Sequence, residues 1–283
     1  HTNDFPLYTE AIKFFNHSEG MVRIAVRTLT LNVYRVEDTS MLTFIRDRTA
    51  APYFSNLVWF IGNHIIELDT CVRNDADHQS QNRLADLVAE HLDHLHYLND
   101  ILSLNIEDLN RVLSEHLLQK LLVPLYVYSL MRSRLPSNSS QEDRKHVSVV
   151  VALFLLSQVF LIVSHRPLVR TLAAVILKSD SNIVETGTSR ILEEYEYSAV
   201  KCIAFSPPSE SLEKSLESLS GQSSNPEEPN GSVSPNSSQN DRLSISSDSE
   251  NPDTFADKMK HLNITDEEKE KRLALENPDQ SHS

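Results

Sequence analysis

The residues best equipped for chemistry are the run Glu90-His91-Leu92-Asp93-His94-Leu95-His96. Imidazoles and carboxylates packed this closely are the usual ligands of zinc. His91 and His94 lie one helical step apart on neighbouring faces, and His116 follows further on. Zinc needs three or four convergent ligands, and the His-Glu-x-x-His order of helical metalloproteases is absent. The ligand set is incomplete, so the run reads as a helix carrying surface and partly buried histidines. Cys71 has His64 nearby in sequence, and thiol plus imidazole can make a nucleophile. A thiolate needs an activating environment, and nothing around Cys71 supplies one. A lone cysteine in a helical segment reads instead as a small buried hydrophobe. The other cysteine is Cys202, and two cysteines cannot build a RING-type zinc site. The 5 glycines form no phosphate loop, and no Gly-x-Ser-x-Gly elbow occurs. The sequence therefore assigns no catalytic, cofactor-binding or metal residue.

The elements that carry these residues are helical. Four prolines each open an apolar stretch: Phe5-Pro6-Leu7-Tyr8, Ala51-Pro52-Tyr53-Phe54, Val123-Pro124-Leu125-Tyr126 and Arg166-Pro167-Leu168-Val169. Proline in a first helical turn has its φ pre-set and loses no hydrogen bond. The steps between them are 46, 72 and 43 residues, and two of the three match HEAT or armadillo repeats. From Glu19 to Val36, Met21, Val22, Ile24, Ala25, Leu29, Leu31 and Val33 form an apolar set, leaving Arg23 and Arg27 for the wetter side. Leu84, Leu87, Val88, Leu95, Leu98 and Leu102 mark one long amphipathic stripe. Leu109 to Met131 forms another, with a kink expected at Pro124. Asn74 to Ser80 reads as a polar connector and Pro136 to Asp143 as a loop. Val147 to Val163 is apolar throughout but only 17 residues long. A spanning helix wants about 20 apolar residues, so this reads as a helix buried on all sides. Trp59, Phe60, Leu95, Leu121 and Phe154 are expected in the core.

After Phe205 the character changes. Ser206 to Ser249 holds 16 serines in 44 positions and five prolines, too few apolar groups to offset chain entropy. Disorder is expected there, with a short helix over 266–276 capped by Thr265 and Glu268. Residues 1–200 carry 18 Lys+Arg against 24 Asp+Glu, and residues 201–283 carry 8 against 16, so the tail is the more acidic part. No clustered basic face suggests nucleic acid. Ser206-Pro207 and Ser234-Pro235 are proline-directed phosphorylation candidates, and Arg242 to Glu250 is an acidic serine cluster. Two cysteines point to a reducing compartment. The start, His1-Thr2-Asn3-Asp4-Phe5, carries neither an initiator Met nor a signal peptide and reads as the middle of a longer protein. The chain thus divides into a helical repeat domain over 1–200 and a disordered acidic Ser/Pro-rich linker over 201–283.

Three runs carry a family resemblance: Phe5 to His17, Met21 to Tyr34, and Asp86 to Asp100. They closely resemble the FPL domain of the C-type lectin domain family 16 member A (endosomal maturation defective) family. The domain is named for a Phe-Pro-Leu motif, here Phe5, Pro6 and Leu7, read as structural first and as a docking motif second. The resemblance implies an all-α, armadillo/HEAT-like solenoid in a cytoplasmic protein peripheral to endosome and lysosome membranes. It implies a role in endosome maturation, autophagy and mitophagy, with ubiquitin ligase and endolysosomal proteins as partners. It carries over no catalytic residue. Asn251-Pro252-Asp253 and Asn277-Pro278-Asp279 faintly echo a lectin calcium loop, but the disulfides and the Trp-Asn-Asp run of such a domain are absent, so neither calcium nor sugar binding is expected. Two functions remain: a non-catalytic scaffold, or an atypical ubiquitin ligase component with its own activity.

Overall fold

The computed structural model describes residues 5–74, 78–132, 144–178, 188–197 and 204–220. Helices fill these residues and no strand occurs among them. α1 (Pro6–Ile12) and α2 (Gly20–Arg35) open the chain. α3 (Thr39–Phe44) runs through a π turn, Ile45–Thr49, into the central α4 (Ala50–Asn74). α5 (His78–Ser103) returns along it, then α6 (Glu107–Leu117) leads through a π stretch, Leu118–Val127, into α7 (Tyr128–Met131). α8 (Val149–Ile162), α9 (Arg166–Leu177), α10 (Thr188–Glu194) and α11 (Leu212–Ser220) complete the set.

α4 is the hub. It packs against α5, α6, the π stretch and α11. Its sequence explains this: Tyr53, Phe54, Leu57, Val58, Ile61, Ile65 and Leu68 are all buried, and they recur every three or four residues around more than one face. Leu87, Leu95, Leu98 and Leu102 of α5 are buried as the stripe predicts, with Leu84 and Val88 packed against the core. Leu95 and Leu121 are core residues; Trp59, Phe60 and Phe154 are only half-buried.

Proline placement differs from the repeat reading. Pro6 and Pro167 stand in the first turns of α1 and α9. Pro52 and Pro124 instead lie within continuous helical runs, each beside or inside a π segment. A π turn opens the ladder, which accommodates a ring that cannot donate and would clash with the preceding turn. The kink expected at Pro124 therefore appears as the π stretch, and the proline spacing does not mark four helix starts.

α2 follows its hydropathy only in part: Leu29, Leu31 and Val33 of the expected apolar set pack against the core, but its most buried positions are others. Val26, Thr30 and Tyr34, at i, i+4 and i+8, turn inward. Met21 and Ile24 are exposed, while Arg23 and Arg27 lie toward the core. The reason is polar: Tyr34 meets the Tyr8 hydroxyl at 3.0 Å, and Tyr8 also meets Thr49 at 3.3 Å. These buried partners outweigh the transfer energy of Met21 and Ile24, since a buried hydroxyl left unpaired is costly.

α8 is half in and half out. Val151, Ala152, Leu155, Leu156 and Val159 are buried, but Val150, Leu153 and Leu161 are 73%, 55% and 77% exposed. The expectation of burial on all sides is corrected: among the described residues, α5, α7 and the π stretch pack against α8, and its other face is exposed. Its start is fixed by Ser148, whose hydroxyl accepts from the Val151 N–H, and by Asp69 of α4, which accepts from the Ser148 N–H at 2.8 Å. No described helix is long and apolar enough to cross a membrane.

Disorder was expected from Ser206 onward, yet Leu212–Ser220 is helical. Phe205, Leu212 and Leu216 are buried, and α11 packs on α4. Serines space these anchors but do not prevent them from docking. Cys202, the loop at 136–143, the 266–276 helix and the run beyond Ser220 lie outside the described residues.

Candidate functional site

Two places in the described structure gather unusual chemistry: a polar cluster inside the domain, and the bare face of α8. The cluster forms where α2 and α4 meet α5. Glu90 and His94, four residues apart on α5, share a face toward His64 of α4. His64 Nε2 donates to the Leu87 carbonyl at 2.9 Å. A carbonyl only accepts, so Nε2 carries a proton, and Nδ1 lies 3.9 Å from a carboxylate oxygen of Glu90. His94 Nε2 lies 3.8 Å from the other oxygen of Glu90.

Two arginines from α2 complete the cluster. Arg23 Nη2 donates to Glu90 Oε1 at 2.6 Å, and Arg27 donates to His94 Nδ1. Arg27 also stacks over Tyr97, 5.4 Å from its centroid. Burial holds His91 down to about 4, with His64 adding to the effect. Burial and the Arg27 guanidinium hold His94 well below its ordinary value. Both imidazoles are therefore neutral near pH 7. Neither ring nitrogen of His91 has a hydrogen-bond partner among the described residues.

His64, Glu90 and His94 offer three ligand atoms within 4.8 Å of one another. A tetrahedral zinc site would draw them to roughly 3.3 Å, from bonds of about 2.0–2.1 Å. Here one Glu90 oxygen is held by Arg23, and Arg27 keeps the His94 proton on Nε2, where a metal would bind. Two guanidiniums also repel a cation. The group is better suited to clamping α2, α4 and α5 together than to holding a metal.

The sequence-singled residues fall as follows. His91 and His94 are buried in the cluster, and His96 is exposed. His116 stays in its own helix, bonded to the Val112 carbonyl at 2.8 Å. Cys71 sits seven residues beyond His64 on α4, about 10 Å along the axis at 1.5 Å per residue, so the two do not form a nucleophile–base pair. Phe5 caps α1 and meets Phe44 edge to face at 5.2 Å. Its partner is thus on α3. Pro6 opens α1 and Leu7 is 77% exposed. Sequence reasoning missed Arg23 and Arg27; their four-residue spacing, matching Glu90 and His94, was the available signal.

The second place is the outer face of α8. At roughly 100° per residue, Val149, Val150, Leu153, Phe160 and Leu161 fall in one sector about 120° wide. All five are exposed. From Arg144 to Lys178 the chain has five Lys or Arg and no Asp or Glu, against a net charge of −14 for the whole. Arg166 and Arg170 of α9 are exposed, and neither forms an ion pair among the described residues.

Among the described residues the domain is helical, with a polar internal clamp and an apolar outer face on α8. The family model described as the CLEC16A helical domain matches residues 79–276, and the FPL model, described as an uncharacterised conserved protein, matches residues 1–34. The chain belongs to the CLEC16A family. It is 53% identical to the Protein CLEC16A homolog of Drosophila melanogaster over 95% of this chain and 27% of that protein. It is 57% identical to Protein CLEC16A of Homo sapiens over 77% of this chain and 20% of that protein. Protein TRANSPARENT TESTA 9 of Arabidopsis thaliana is 36% identical over 60% of the chain and 20% of that protein. The chain thus spans roughly a fifth to a quarter of the length of these relatives. No solved structure matches it.

Proposed function

We propose that the chain is a non-catalytic helical scaffold at the cytoplasmic face of endosomes and lysosomes. In that role it holds ubiquitin-pathway partners during trafficking, autophagy and mitophagy. The observation that carries this reading is the bare apolar face of α8 beside an acid-free stretch. Exposed apolar groups on one helix face mark a contact surface. Arg166 and Arg170 make the neighbourhood positive in an acidic chain. An anionic lipid surface matches both properties: α8 lies flat, its apolar sector enters the headgroup boundary, and the arginines meet lipid charge. Membership of the CLEC16A family supports the trafficking context.

The test uses the full chain with phosphatidylcholine vesicles, with and without phosphatidylserine. Sedimentation with the anionic vesicles is expected, weakened by salt and lost in Val150→Asp/Leu153→Asp/Leu161→Asp. Equal recovery of wild type and triple variant with the vesicles removes α8 as the contact. Ubiquitin discharge that depends on Cys71 or Cys202 would replace the scaffold with an enzyme.

A further inference from the structure

Behind Phe205 the chain forms a strap across α4. The Phe205 ring stacks on Trp59 with centroids 4.6 Å apart. It fits because position 62 is glycine: a Cβ there would stand 2.2 Å from the ring. Asn56 of α4 donates to the Glu210 carbonyl at 3.3 Å, and Leu212 and Leu216 bury themselves further on. Between the first two anchors Ser206 is exposed, with Pro207 and Pro208 following it.

Ser206 lines a cavity of about 450 Å³ between the strap and the domain, together with Ser55, Lys120 and Ser209. Lys120 is the one charged residue of that lining. Its ammonium donates to Ser55 Oγ at 2.8 Å and has no carboxylate partner among the described residues. Burial pushes its pKa down, the sign of a cation short of a counter-charge. Lys145 adds a second ammonium, 5.8 Å from the Phe205 ring centroid. The strap thus offers an exposed hydroxyl followed by proline, beside a cavity whose charge is positive.

We propose that Ser206 is the acceptor of a proline-directed protein kinase and that its phosphate, facing Lys120, locks the strap onto α4. In the transfer, Ser206 Oγ forms the new bond to the γ-phosphorus of ATP. The bond from that phosphorus to the β–γ bridging oxygen breaks, ADP leaves with the electron pair, and the hydroxyl proton passes to the kinase base. The product carries nearly two negative charges and three acceptor oxygens at neutral pH. Such a group gains most beside a partly desolvated cation, where charge-assisted hydrogen bonds are strongest.

The test treats the full chain with ATP and a purified proline-directed serine kinase and locates phosphate by peptide mass. Ser234-Pro235, the other Ser-Pro pair, serves as internal reference. Phosphate is expected at Ser206 and absent from Ser206→Ala. Hydrogen exchange across 209–218 should slow about tenfold on modification, the scale of one charged hydrogen bond. Lys120→Met should cancel the slowing and Lys120→Arg should keep it; melting of each unmodified variant shows that it folds. Phosphate on Ser234 alone overturns the proposal. So does unchanged or faster exchange in the phosphorylated strap, or slowing that survives in Lys120→Met.

Discussion

At the scale of single residues, Glu90 holds the most consequence. It is the carboxylate that Arg23 reaches at 2.6 Å, and it faces two histidines. Glu90→Gln leaves the Arg23 guanidinium uncompensated in a partly buried site. A loss of about 2–3 kcal/mol is expected, below that of a fully buried pair because Glu90 is one-third exposed. Urea unfolding measures it, and an unchanged midpoint would show that the clamp is not structural. His91 gives a pH signature. Its folded value is about 4 and its unfolded value about 6.5. Below pH 6.5 the unfolded chain takes up a proton that the folded chain refuses. Its stabilising contribution is therefore complete above pH 6.5 and declines as pH falls toward 4, by about 3 kcal/mol in all. His91→Leu should lessen the stability–pH slope across that window, leaving the part that His94 supplies. A slope identical to wild type would mean that another group sets it. Gly62→Ala tests close approach: the added methyl meets Phe205, so the ring leaves Trp59 and indole fluorescence changes.

At the scale of elements, periodicity located the helices but not always their inward face. α5 was legible because its leucine stripe is the core stripe. α2 was legible only in part: Leu29, Leu31 and Val33 pack against the core, but Thr30, Tyr34 and two arginines face inward for polar reasons that hydropathy scores as outward. α8 was legible as a helix and misread as buried, since an all-apolar sequence carries no mark of which side lacks a neighbour. The π segments escaped notice because proline reads as a helix start whether or not a wider turn can absorb it. The histidine run announced itself, while the arginines that decide its chemistry sit 67 residues earlier. Paired substitutions on α8 separate its faces. Leu155→Asp, on the fully buried side, should abolish cooperative melting, because a carboxylate would replace a core leucine. Leu153→Asp, on the 55% exposed side, should shift melting by about 0.5 kcal/mol or less. Equal damage from both would mean that the outer face is covered.

At the scale of the molecule, the strap joins a serine-rich run to the helical domain. Composition assigned 206–220 to the linker, because serine frequency averages over a segment while docking depends on three residues in register. Phe205, Leu212 and Leu216 are each buried to 5% exposure or less. Each such side chain contributes about 1.5–3 kcal/mol on burial. Ordering the intervening backbone offsets much of that gain. A net contribution of about 2–3 kcal/mol corresponds to roughly 5–10 °C in a domain of this size. Calorimetry on chains ending at Ile203 and at Ser220 should show that difference, with the longer chain melting higher. The shorter chain also uncovers Trp59 and the groove at Gly62, so its indole emission should shift to the red. Coincident melting curves would mean that the strap rests on the domain without supporting it. A higher Tm together with an unshifted indole would place the stabilisation in α11 rather than in the Phe205 anchor.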